Sequence, residues 1–134
     1  SYPIKYIDSI NATVENLRFY EGGLDGPDRE DREYNVFFKS DETRYIRWEL
    51  GLRFPELWRK HSDTKLVVHE QWFRDGKRIK RDDSEFTIPS SWVDSWMASA
   101  LGSRTPRYWD VGFYEVDLYV EGKFIDRGSF EVYD

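Results

Sequence analysis

Residues Phe113 to Val120 give the clearest alternation in the chain. Tyr114, Val116, Leu118 and Val120 fall on one side of an extended chain, and Glu115, Asp117 and, past the strand, Glu121 fall on the other. Apolar side chains at every second position require a backbone of period two, because successive side chains of a strand point to opposite faces. Arg44 to Phe54 repeats the pattern. Ile46, Trp48, Leu50, Leu52 and Phe54 face one way, and Tyr45, Arg47, Glu49 and Arg53 face the other. Segments of this kind bury one face against a second layer, which makes a half-buried antiparallel sheet the natural solution. Pro55 cannot donate to a ladder and marks the end of the second segment.

Further strands follow from turn chemistry. Lys65 to Arg74 and Arg78 to Ile88 flank Asp75-Gly76, and Phe113 to Val120 and Phe124 to Val132 flank Glu121-Gly122-Lys123. Such short Gly-containing connections join hairpin strands because Gly accepts positive φ. Lys65 to Arg74 is apolar on both faces, which places it centrally. Thr13 to Tyr20 reads as an opening strand with Leu17 and Phe19 on one face, and Tyr34 to Phe38 as a short strand or the start of one. Ser90 to Gly102 reads differently: Trp92 and Trp96 lie one helical turn apart, a Ser stands in capping position and Gly102 ends the run, so a short helix is expected near 91–101. Pro55 to His61 is expected to form one short turn. The sum is a mainly β chain, an antiparallel β-sandwich of about seven strands and one helix, forming a single domain over residues 1–134.

The chain has 134 residues, enough for a core without disulfides or a structural metal, and 18% of them are aromatic. There is no Cys, so thiolate chemistry and zinc–thiolate sites are excluded. The net charge of -6 gives no support for nucleic-acid binding. Lys77, Arg78, Lys80 and Arg81 form one basic cluster, read as a solvated hairpin end. No apolar run is long enough to cross a bilayer.

The run from Trp109 to Val132 resembles the last two strands of immunoglobulin-like or fibronectin-like accessory domains of bacterial proteins: aromatic, Gly, Tyr, alternating apolar residues, Gly, then Phe-x-Val. The resemblance implies a spacer, docking module or ligand binder within a larger envelope or secreted protein, and so favours an extracytoplasmic setting. The immunoglobulin cysteines are absent, and no functional residue carries over.

Chemistry-bearing groups are few. No nucleophile elbow is present. His61 and His69 are too few for a catalytic zinc site, and His69 sits in a strand. Asp25, Asp28, Glu30 and Asp31 supply hard oxygens suited to Ca²⁺, although their spacing matches no EF-hand loop and Arg29 and Arg32 offset their charge. Glu49, Glu70, Glu115 and Asp117 are strand carboxylates, with Arg47, Arg53 and Arg74 as cross-strand partners. Glu70 stands out, since it lies on an apolar stripe between Val68 and Trp72 and a buried carboxylate needs a partner. Trp48 and Trp72 read as core. Trp92, Trp96, Tyr45 and Tyr119 are the candidates for an aromatic binding surface. The expectation is a non-catalytic binding or protein-interaction module without a cofactor, with a protein partner or a glycan as ligand. The alternative is a carbohydrate-binding module using those aromatic rings.

Overall fold

The computed structural model describes residues 5–22, 27–54, 63–88, 94–103 and 108–134. Nine strands occupy most of them: β1 (Lys5–Ile7), β2 (Ala12–Gly22), β3 (Phe37–Lys39), β4 (Tyr45–Arg53), β5 (Thr64–Arg74), β6 (Lys77–Ile88), β7 (Asp94–Gly102), β8 (Gly112–Val120) and β9 (Lys123–Tyr133). Two three-residue 3-10 turns, Asp8–Ile10 and Arg29–Asp31, are the only helical elements among the described residues. A four-stranded sheet runs β1-β2-β4-β7 and a five-stranded sheet runs β3-β9-β8-β5-β6. Every neighbouring pair is antiparallel except β3 with β9, which is parallel.

The helix expected near 91–101 is instead β7, and β1 adds a further strand, so nine replace about seven. Trp96, Ala98 and Ala100 stand at alternate positions of Ser95 to Leu101, but Met97 and Leu101 fall at the positions between, so no period is decisive and pairing decides. β4 is buried at every position from Trp48 to Leu52, so its backbone groups need hydrogen-bonded partners on both edges. β2 supplies one edge. β7 supplies the other in unbroken register, from Arg53 opposite Asp94 to Tyr45 opposite Gly102. The expected turn over 55–61 lies outside the described residues.

Both hairpin turns follow the sequence reading. Asp75 and Gly76 have φ of 50° and 83°, and Glu121 and Gly122 have φ of 54° and 76°. Two consecutive residues at positive φ give the turn whose twist matches that of the flanking strands.

The sheets share one interior. Trp48, Leu50 and Leu52 enter it from the four-stranded sheet, and Val68, Trp72, Val116 and Leu118 from the other. Phe130 is its aromatic centre: the rings of Phe19, Phe38, Trp72, Trp109 and Tyr114 lie 4.9–6.2 Å from it, mostly edge to face. Tyr114, near the start of β8, is buried and donates its hydroxyl to the carbonyl of Asp110, 2.6 Å away.

One short segment joins the sheets along a side. Asn35 N–H donates to Phe19 O of β2 at 2.9 Å, and Val36 O accepts from Glu131 N–H of β9 at 2.8 Å. Two consecutive residues thus bond to opposite layers. Tyr34 to Phe38, expected as a strand, is in fact a bridge of Tyr34 to Tyr20 followed by β3 from Phe37.

Candidate functional site

The outer faces of the two sheets differ. Over the four-stranded sheet the segment 27–36 lays Arg32 and Tyr34 across β2 and β4. Glu49, on the outward side of β4, is thereby buried completely. Its carboxylate accepts from Arg18 Nη2 at 2.8 Å, from Arg32 Nη1 at 2.6 Å and from the Tyr34 hydroxyl at 2.8 Å. The Arg18 guanidinium lies 3.8 Å over the Tyr34 ring, and that of Arg32 lies 4.5 Å over Tyr20. Burial alone would push the Glu49 carboxyl up. The hydrogen bonds from Tyr34, Arg32 and Arg18 outweigh it and hold the carboxyl below its ordinary value. Glu49 is therefore an ionised clasp that fastens this segment to the sheet.

The outer face of the five-stranded sheet carries apolar side chains at its two ends, Phe37, Phe113 and Tyr133 around Glu131 at one and Val67 and Phe124 at the other, with Glu115, Asp117 and Arg127 between them. Phe37, Phe113, Val67, Phe124 and Tyr133 are each between 45% and 55% exposed. Phe37 and Phe113 flank Glu131 in register. At the Val67 end, a cleft of about 560 Å³ opens along β5 and the end of β8, lined by Lys65, Val67, His69, Gln71, Tyr119 and Glu121. His69 is held there at both ring nitrogens. Nδ1 lies 2.7 Å from Asp83 Oδ1 and Nε2 lies 3.0 Å from Gln71 Nε2, so Gln71 donates to Nε2 and Nδ1 carries the proton toward Asp83. Tyr119 packs against His69 and Phe124, and its ring is tilted 69° from the Phe124 ring. Further along this face Arg127 clamps Asp117 in a fork, with bonds of 2.6 and 2.8 Å.

The third polar centre lies inside. Glu70 points inward from β5 and is fully buried. The Trp48 indole N–H from the opposite sheet donates to its carboxylate, and Lys80 Nζ lies 3.8 Å away. Burial pushes the Glu70 carboxyl up. The Trp48 bond and the Lys80 charge oppose that only in part.

The residues singled out from sequence do not form one surface. Tyr119 lines the cleft, but Tyr45 is half-buried on the other sheet, on β4 opposite Gly22 and Gly102. Trp96 stands on β7 in register with Gly51; Trp92 and the Trp96 side chain lie outside the described residues. Asp28, Glu30 and Asp31 are exposed and Asp25 lies outside the described residues. Among the described residues no three metal-binding side chains gather. Arg47, Arg53 and Arg74 were the arginines expected to pair with the strand carboxylates. The Glu49 carboxylate instead accepts from Arg18 and Arg32, which neither alternation nor spacing indicates. The exposed apolar residues were partly visible: Val67 and Phe73 give β5 a second apolar face. That face is open rather than covered, although β5 does lie between β6 and β8.

No protein-family model matches the chain, and no curated protein is significantly similar to it in sequence. Solved structures are similar in fold. The chain aligns over 92% of its length with part of the Pseudomonas fluorescens alkylpurine DNA glycosylase bound to DNA containing an abasic site analog, at 12% identity and a TM-score of 0.53. It aligns over 92% with part of the Listeria innocua β-glucosidase in complex with glucose, at 8% identity and a TM-score of 0.51. It spans 30% and 16% of those two chains. An immunoglobulin-like protein from Pseudomonas aeruginosa aligns over 89% of this chain and 98% of its own, at 12% identity and a TM-score of 0.48.

Proposed function

We propose that this chain is an immunoglobulin-like, non-catalytic interaction module that docks a protein partner on the outer face of its five-stranded sheet. The observation that carries the reading is the pair of half-exposed apolar clusters on that face, Phe37, Phe113 and Tyr133 at one end and Val67 and Phe124 at the other. Large apolar side chains left open at both ends of a sheet face suit a partner that lies along it and covers both. The fold assignment draws on the strand order β9-β8-β5-β6 facing β2-β4-β7, with Trp72 buried on β5 and the Tyr114 hydroxyl tied to Asp110. An accessory role draws on the recurrence of this fold as a minor part of two larger enzymes.

Arrays of peptides and glycans probed with the chain test the proposal. Peptide binding that falls at least about tenfold in Phe113→Ser and Val67→Ser, with the unfolding midpoint nearly unchanged, is the expected result. Binding indifferent to both substitutions overturns it. A second reading, glycan recognition, draws on Tyr119 beside the hydrogen-bonding groups of His69 and Gln71. Its signature is a glycan signal lost in Tyr119→Ala and kept in Phe113→Ser. The 69° tilt between Tyr119 and Phe124 denies a sugar the flat double platform that would favour this reading.

A further inference from the structure

Among the described residues β6 has a hydrogen-bonded neighbour on one side only, β5, and forms the edge of the five-stranded sheet. It is twelve residues long and contains no proline. A long open edge offers unpaired N–H and C=O groups to any extended strand, and proteins commonly deter such pairing with charge. Here the charge changes sign midway. Lys77, Arg78, Lys80 and Arg81 make the first half basic, and Asp82, Asp83 and Glu85 make the second half acidic. All but Lys80 are exposed. Lys80 already lies 3.8 Å from Glu70, Asp83 bonds His69 and Glu85 lies 3.7 Å from Lys65. Lys77, Arg78 and Arg81 have no ion-pair partner among the described residues.

We propose that β6 is a homotypic docking edge on which a second copy of this chain pairs antiparallel. An edge of one sign repels its own copy, whereas an edge with a basic half and an acidic half attracts it in antiparallel alignment. A two-fold axis normal to the sheet generates that alignment and keeps equivalent faces on the same side. With the axis beside Arg81, Lys80 faces Asp82 of the second copy. With the axis beside Asp82, Arg81 faces Asp83 of the second copy. The residue on the axis meets its own copy, Arg81 against Arg81 or Asp82 against Asp82, but either way the flanking cations of each strand run toward the acidic end of the other, and opposite charges directly across antiparallel strands are favourable. The bulge between Trp72 and Phe73 in the β5–β6 pairing bends β6 near Ile79, so the pairing centres on Lys80 to Glu85. The assembled pair carries the apolar clusters of both copies on one side of a ten-stranded sheet and presents them together to a partner.

Sedimentation equilibrium of the whole chain tests this, and the test is independent of the docking face proposed above. The chain associates into dimers at low salt, and raising salt from about 20 mM to about 500 mM weakens the association at least about tenfold. Arg78→Glu/Arg81→Glu and Asp82→Lys/Glu85→Lys alter exposed side chains only. Each variant alone is monomeric, and the two associate on mixing, whereas Phe113→Ser leaves the dimer intact. A wild-type chain that stays monomeric to about 1 mM, or variants that fail to associate on mixing, overturns the proposal. So does a salt-insensitive dimer abolished by Phe113→Ser, or a chain that binds inorganic polyphosphate through Arg78 and Arg81 without self-association.

Discussion

Glu70 and Glu49 are both fully buried strand carboxylates, and their surroundings drive them in opposite directions. Glu70 is raised by burial, and a raised folded-state value means that its contribution to stability is complete below the unfolded value of about 4.3 and lost as pH rises through the folded value. Glu70→Gln keeps an acceptor for the Trp48 indole and removes the ionisation. It should match the wild type near pH 4 and exceed it by about 1 kcal/mol at pH 8 in chemical denaturation. Glu49 has the opposite sign. Hydrogen bonds from Tyr34, Arg32 and Arg18 prevail over burial and lower it, so its contribution is present above the unfolded value and lost as pH falls through the folded one. Glu49→Gln leaves Arg18 and Arg32 facing an uncharged amide. It should cost about 3 kcal/mol at pH 7, with the penalty shrinking in acid, and should speed proteolysis within 27–36. Sequence placed Glu70 correctly, because an acid on an apolar stripe has nowhere to go but inward. It could not place Glu49, whose burial depends on the fold of a segment that begins 22 residues upstream at Pro27.

Strands with a strict period were legible, as were the turns between them; β7 was not. Ser95 to Leu101 fits neither period strictly, and what settles it is the edge of β4, which no local pattern in 91–101 reports. Its closing residue, Gly102, has a φ of 148°, and a Cβ there would sit 2.1 Å from the carbonyl oxygen of Arg44. Gly102→Ala should therefore destabilise the chain by about 3 kcal/mol in chemical denaturation, through the end of the β4–β7 ladder. A circular-dichroism spectrum with substantial helix would contradict the strand assignment of this segment. The edge strand β6 was legible as a hairpin arm. Its two blocks of charge were visible too, but their meaning depends on knowing that one side of the strand is open.

The whole molecule is organised around Phe130, which touches five other aromatic rings drawn from both layers. Phe130→Ala should cost about 4 kcal/mol, measured as a fall in the denaturant midpoint, because rings crowded on every side cannot collapse into the space. The segment at Asn35 and Val36, bonded to one sheet and then to the other, gives the fold an asymmetry. The two layers are bound together along β2 and β9 like leaves at the spine of a book. Along the opposite margin, β6 and β7 carry no comparable backbone stitch between the sheets among the described residues. Thermal opening should start at that loose margin, so amide hydrogens of β6 and β7 should exchange before those of β2 and β9. Lys80 stands on that margin with Glu70 just behind it, so an opening there would bring water to a buried acid before it reached the aromatic centre.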